Sequence, residues 1–348
     1  MARSLDARHP NASRPSIYRR SDDLAGVRES VASRSSEQGG VFRREHLILW
    51  GHDDQLLPVM VRRGWWLRLQ YGVYVDRLVL DAAMANPKEF HLLLAAAAIQ
   101  ARSMPVHAFG ITAALLHDLP LPDDLPDVVD LIRDVGADRR GRSTRTPMNP
   151  GLRKVRVRCH DLSADRLTQI RGLPSVDRSM AGLSAAAEFS VDWAVAILDS
   201  VVWGQPTLLG DLGDLLAEWP MLKGIGVARK ALPQVRTGAQ TPLESHSRLR
   251  LVRAGLPEPQ LQVPMHDRAG LIGRVDMYWP DLGVVGEADG AIKYEVRDDL
   301  LKEKAREDRL RALGLAVVRW TWPEIWQDPG EVARRVRQAS LGARRFAG

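Results

Sequence analysis

Residues 274 to 294, RVDMYWPDLGVVGEADGAIKY, carry three carboxylates inside two apolar, β-prone runs joined by a Pro-Asp-Leu-Gly turn. Asp276 interrupts the first run, and Glu287 and Asp289 close the second. Side chains alternate along a strand, so Glu287 and Asp289 face the same way. Like charges about 6.5 Å apart repel by about 2.5 kcal/mol at an effective dielectric of about 20. Asp276, on the neighbouring strand, adds to that repulsion. A divalent cation would neutralise the cluster, because Mg²⁺ takes one or two carboxylates and completes its shell with water and phosphate oxygens. There it activates water and screens a phosphate. The chemistry these residue types suit is phosphodiester hydrolysis. Asp276 and Glu287 are then the primary ligands of Mg²⁺ (or Mn²⁺), and Asp289 is a third or water-bridged ligand. The alternative is an edge strand that shows its carboxylates to water, with Arg274 or Arg319 as ion-pair partners.

The elements that must position these residues are legible from Thr241 onward. TPLESHSRLRLVRAG reads as a helix: Thr241 is the N-cap, Pro242 lies in the first turn, Glu244 completes a T-x-x-E capping box and Gly255 ends it. PQLQVPMH reads as an edge strand because it contains Pro264. LIGRVDMYW and LGVVGEAD follow as strands. DDLLKEKAREDRLRALG is an amphipathic helix with i,i+4 pairs Lys304–Asp308 and Glu307–Arg311. LAVVRWTW closes the set as a strand whose Trp320 and Trp322 share a buried face.

The resulting order, αβββαβ over residues 240–330, resembles the core of PD-(D/E)xK nucleases. It is most similar to the branch related to very-short-patch-repair endonucleases. PLESHSRLRL, RVDMYW, GVVGEADGAIKY, EKAREDRLRALG and VVRWTW carry that resemblance. It implies a restriction-endonuclease-like fold with a catalytic set of Asp276, Glu287, Asp289 and Lys293, and a supporting role for Glu244. Capping alone also accounts for Glu244. Lys293 would orient the attacking water or stabilise charge in the transition state. The pattern departs at this lysine: the position two residues after Glu287 holds Asp289, and Lys293 lies past the strand end. Arg306 and Arg309 on the charged helix would face phosphate.

Near the other end, RREHLILWG reads as a short helix ending at Gly51, and QLLPVMVRR as a second, capped by Asp53 or Asp54 and stopping at Gly64. WWLRLQ and GVYVD form a hairpin that turns at Tyr71-Gly72. Helix, turn, helix and hairpin is the order of a winged helix, whose second helix enters the DNA major groove. GGVFRREHL and VRRGWWLRLQYGVY resemble the N-terminal domain of AbiEi-type antitoxins, the DNA-binding halves of abortive-infection toxin–antitoxin pairs. Arg62, Arg63 and Arg68 are the DNA-binding residues this implies. Pro58 removes a backbone donor early in the second helix. A packing module without DNA contact is the alternative.

The chain has 348 residues and a formal net charge of +6, with 45% hydrophobic and 26% charged residues. That is the composition of an ordinary soluble globular protein with enough apolar residues for real cores, and the length suits two or three domains; with the elements above, the fold class expected is α/β multidomain. Its organisation reads as a flexible tail (1–35), a winged helix-turn-helix (36–80), a mainly helical middle domain (85–235), the nuclease-like domain (240–330) and a C-terminal helix or tail (331–348). The middle region, with strands DVVDLI and RKVRVRCHD among alanine-rich helices, is similar to the middle of actinobacterial AbiEi-like proteins. Its histidines, 91, 107, 117 and 160, show no metal-ligand spacing. Between Arg133 and Arg158 lies a basic cluster that includes Arg139, Arg140 and Arg142 and suits a polyanion. A solvated basic loop is the other reading. The single cysteine, Cys159, excludes an intrachain disulfide and points to a reducing, cytoplasmic setting. No apolar run approaches the length of a membrane helix.

Taken together, the sequence predicts a DNA-binding protein with a Mg²⁺-dependent endonuclease-like domain. An AbiEi-like antitoxin or transcriptional regulator whose nuclease fold is inactive is the competing prediction. RNA as substrate stays open. The resemblance implies DNA and a cognate toxin as partners, and a homodimer would supply a second cleavage centre.

Overall fold

Residues 21–136, 144–147, 154–290 and 297–346 are described by a computed structural model. The chain is mixed α/β and forms two compact units, one mainly of residues up to Pro105 and the other mainly of residues from Val106 onward.

The first unit runs α1 (Ser21–Ser36), β1 (Val41–Arg43), α2 (Arg44–Leu49), α3 (Leu56–Arg62), β2 (Trp66–Gln70), β3 (Val73–Asp76), α4 (Arg77–Met84) and α5 (Pro87–Gln100). Its sheet has the order β1-β3-β2, antiparallel throughout. The expected flexible tail is corrected for its second half, because α1 buries Leu24 and Val31 in a core with Phe42, Leu47, Leu56, Met60 and Trp66. Leu24, Val27 and Val31 recur on one helical face, and that stripe offsets the polar composition around it. Arg28 fastens the helix to Asp76 at 2.6 Å, and Asp76 also caps α4 by accepting from the Leu78 N–H at 2.9 Å. Asp53 accepts from the Gln55 N–H, and α3 begins after Gln55 without a side-chain cap, so neither Asp53 nor Asp54 caps it as expected. Asp54 instead pairs with Arg44 at 2.5 Å.

The second unit opens with β4 (His107–Ala108), α6 (Gly110–Leu116), β5 (Val128–Asp134), β6 (Thr144–Pro147), β7 (Lys154–His160), β8 (Leu167–Ile170) and β9 (Leu173–Val176). These strands form a six-stranded sheet of order β6-β7-β5-β4-β9-β8, so the middle region carries more β-structure than its alanine-rich composition suggests. Helices α7 (Arg178–Ala186), α8 (Val191–Val202), α9 (Leu208–Glu218) and α10 (Ile225–Ala231) follow. Next come α11 (Pro242–Arg253), β10 (Gln260–Asp267), β11 (Gly270–Trp279), β12 (Val284–Asp289), α12 (Arg297–Ala312), β13 (Ala316–Thr321), α13 (Trp322–Gln327) and α14 (Pro329–Phe346).

The expected break between a middle and a C-terminal domain, near residues 235–240, is not a boundary between compact units. Asp199 of α8 ties the two stretches together, accepting from the Arg236 N–H (2.7 Å), the Ser245 hydroxyl (2.8 Å) and Arg248 (3.4 Å).

The C-terminal sheet has the order β10-β11-β12-β13, antiparallel except for the parallel β12–β13 pair. β10 lies at the edge and β12 in the interior. One face packs Met277, Trp279, Val284, Val318 and Trp320 against Leu251, Ile325, Val332 and Val336. The other packs Val285, Tyr278 and Val317 against Leu310 of α12. Gly286 sits where Trp320 and Trp279 close in: a Cβ there would come within 2.5 Å of one ring and 2.9 Å of the other. Trp322 is not part of the last strand as expected. Thr321 and Glu324 form a capping box that ends the strand and starts α13 at that residue.

Candidate active site

Strand register assembles the acidic residues. Met277 pairs with Gly286 and Tyr278 with Val285, which sets Asp276 across from Glu287. The Asp276 carboxylate also reaches the backbone of β12, accepting from the Ala288 N–H on Oδ2 at 2.9 Å. Period-two alternation puts Asp276, Glu287 and Asp289 on the face that α12 covers. On β13, Arg319 lies beside Glu287 in the parallel register and points the same way.

Glu287 is 7% exposed. Burial pushes its carboxyl up to about 7; Arg306 opposes this shift and nearby Asp276 reinforces it. Burial also raises Asp276, against the Ala288 N–H and the Gln262 amide. Asp289 is raised by burial and held back by Arg319. Glu244, 3% exposed, is raised by burial and by Asp276, against the Gln240 N–H and Gln262.

Glu244 does both things the sequence allowed. It belongs to the helix cap, with its N–H donating to Thr241 Oγ1 at 3.2 Å and its carboxylate accepting from the Thr241 hydroxyl and the Gln240 N–H, each at 2.9 Å, so the return bond of the expected capping box goes to the residue before the N-cap. It also reaches the acidic centre through Gln262, whose Nε2 donates to Glu244 Oε2 (2.9 Å) and to Asp276 Oδ1 (3.0 Å).

Two of the three strand carboxylates have arginine partners. Arg306 donates to Glu287 at 2.8 Å and Arg319 to Asp289 at 3.3 Å. The expected Arg274 is not the partner of either; it bonds Gln262 and Gln240 instead. Arg306 reaches across because residue 273 is glycine at φ 150, where a Cβ would lie 2.9 Å from its Nε. Arg306 is shared with Glu303, and Arg319 with Glu303 and Glu307. The helix pair Glu307–Arg311 forms as expected, at 2.5 Å. Arg309 is engaged by Asp267 at 2.7 Å.

The donors are oxygen atoms, the set that hard divalent cations take. Among the described residues, the hydrogen bonds to Asp276 and Glu244 come from neutral groups, an amide, backbone N–H groups and a hydroxyl, and Arg306 acts on Asp276 only through its charge. Glu287 stays near 7 with Arg306 bonded to it, so one guanidinium does not offset its burial and its neighbour. The pair Asp276–Glu287 therefore fits a Mg²⁺ ion that keeps most of its water. No cluster of three or more metal-ligating side chains is gathered among the described residues, and Asp289, the expected third or water-bridged ligand, is bonded by Arg319.

Lys293 lies outside the described residues, as do Arg139, Arg140 and Arg142. Of the same basic cluster, Arg156 is turned inward, pairing with buried Asp130 and, at 2.8 Å, with Glu188, which Arg158 also reaches at 2.9 Å. In the first unit Arg62, Arg63 and Arg68 are exposed, at the end of α3 and on β2. Arg63 lies over the Trp65 ring, 5.3 Å from its centroid. Sequence reasoning missed Gln262, whose one signal is its place on the strand beside the one that carries Asp276.

No family model matches the chain. It is similar to two proteins of Mycobacterium tuberculosis, the uncharacterised protein MT2308 of strain CDC 1551 / Oshkosh and the uncharacterised protein Rv2248 of strain H37Rv. Each is 26% identical over 297 residues, which cover 84% of this chain and 99% of the relative.

Proposed function

We propose that the protein binds DNA through its first unit and hydrolyses phosphodiester bonds at the Asp276–Glu287 centre, with Mg²⁺ (or Mn²⁺) as cofactor. One observation carries this reading: half-buried Asp276 and buried Glu287 stand opposite each other on adjacent strands, and burial, with Asp276 nearby, pushes Glu287 up to about 7. Asp276 and Glu287 would hold the metal. When bound, it supplies Lewis-acid activation of water and screens the phosphate. Asp276 is kept in place by the Ala288 N–H and Gln262, and Glu287 enters from the strand interior. Arg306, once released from Glu287, is placed to hold a phosphate oxygen, where a guanidinium binds bidentately.

The N-terminal order α1-β1-α2-α3-β2-β3 supports a winged helix, and exposed Arg62, Arg63 and Arg68 supply its phosphate contacts. The C-terminal αβββαβ order supports a PD-(D/E)xK-type core. Purified protein with Mg²⁺ should nick plasmid DNA. The double variant Asp276→Ala, Glu287→Ala should not, and equal nicking by both would refute the assignment.

A second reading has its own observation. Asp289 stands where the nuclease pattern has lysine, and arginines already engage Glu287 and Asp289. This favours an antitoxin-like regulator built on an inactive nuclease fold, paired with a cognate toxin. It calls for salt-sensitive binding to a specific DNA site and no cleavage with any metal.

A further inference from the structure

Gln262 lies in the middle of edge strand β10 with φ 50, in the left-handed region. Leu261 and Val263 on either side keep their partners Met277 and Val275, so the ladder steps over Gln262 alone. A residue with a Cβ is strained in that conformation. Such strain persists where the surroundings hold it, and it clusters at functional sites. Here the side chain does the holding. Nε2 has two hydrogens and gives one to Glu244 and one to Asp276; Oε1 accepts from Arg274 Nε at 2.9 Å. The amide's orientation follows from its neighbours: donors face the carboxylates and the acceptor faces the guanidinium.

We propose that Gln262 is the positioning residue of the acidic centre, a neutral clamp that fixes the Asp276 carboxylate against Glu244 without discharging it. An arginine here would hold both carboxylates equally well but would also supply the positive charge that a cation is meant to bring. Glu287 and Asp289 show that alternative, each with its guanidinium. An amide sets the geometry and leaves the charge. The strained backbone brings that amide to the carboxylates from the edge strand. This inference rests on the metal-binding reading of Asp276.

The test compares Gln262→Ala and Gln262→Gly in the full chain, by calorimetric titration with Mn²⁺ alone and by thermal unfolding. Both variants lose the amide, whereas only glycine relieves the backbone. The expected result is an equal loss of Mn²⁺ affinity in both, about 10- to 100-fold as for other residues that orient a metal ligand, although the glycine variant melts higher than the alanine variant. Wild-type affinity in either variant overturns the inference and leaves the metal site standing. Affinity that follows the melting temperature from one variant to the other also overturns it, because Gln262 is then merely structural. Absence of Mn²⁺ binding in the wild type overturns the metal reading beneath it, and the clamp with it.

Discussion

Substituting Glu287 by glutamine separates a carboxylate kept for a cation from one kept for an ion pair. The group titrates near 4.5 when unfolded and about 7 when folded, because burial and Asp276 outweigh Arg306. A raised carboxyl stabilises the fold fully below its unfolded pKa, and that contribution is lost as pH rises through the folded value. At about 1.4 kcal/mol per pH unit, the wild type forfeits about 3 kcal/mol between about pH 4 and pH 8. Glutamine is neutral throughout. The variant should therefore match the wild type in acid and exceed it by about 3 kcal/mol near pH 8. Asp199, raised to about 6 by burial, loses stability in the same direction, but it is common to both proteins and cancels in the difference. Urea unfolding across this pH range measures the gap directly. Added Mg²⁺ should close it by stabilising only the wild type, since a ligand of the native state adds stability by mass action. Parallel stability curves for the two proteins, or a variant destabilised at every pH, would show that Glu287 serves its ion pair with Arg306, and the electrostatic reasoning would fail.

Other outcomes follow from the same geometry. His246 is fully buried among Trp193, Trp322 and Trp326, its ring nitrogens without hydrogen bonds among the described residues, and burial lowers it to about 4. A lowered histidine stabilises fully above its unfolded pKa of about 6.5 and loses this as pH falls, so His246→Phe should gain up to about 3 kcal/mol on the wild type by about pH 4; a pH-independent difference in unfolding midpoint would contradict this. Asp199→Ala takes the acceptor from the Arg236 N–H and the Ser245 hydroxyl and one partner from buried Arg248, which keeps Glu258 and the Gln234 carbonyl, and should cost about 1–3 kcal/mol in chemical denaturation; no measurable cost would show that the network is dispensable. Arg63→Ala and Arg68→Ala should each weaken DNA binding on any sequence and reduce the salt slope by about 1; an unchanged slope in a filter-binding or anisotropy titration would remove that face from the interface.

Much of the C-terminal unit was legible because its signals are local. Thr241, Pro242, Glu244 and Gly255 fix one helix by capping chemistry alone, and α11 starts and stops where they require. Period-two alternation alone puts Glu287 and Asp289 on one face. The partners of these carboxylates were harder to read. Arg306 reaches Glu287 only because α12 crosses that face and position 273 leaves room, and neither fact has a sequence period. Gln262 carries no charge, and its left-handed backbone is a tertiary outcome that composition does not announce. Helix α1 was hidden differently: arginine, serine and aspartate dominate it, and the stripe of Leu24, Val27 and Val31 is the signal that polar composition obscured. The six-stranded sheet depends on the two-residue β4 and four-residue β8 and β9, whose pairing is non-local and whose length is too short for a pattern.

The most direct measurement is a calorimetric titration of Mg²⁺ into the wild-type protein and into Asp276→Ala. Saturable binding to the wild type that disappears in the variant is the expected result. No binding to the wild type, or the same binding to both proteins, would contradict a metal centre at Asp276 and Glu287.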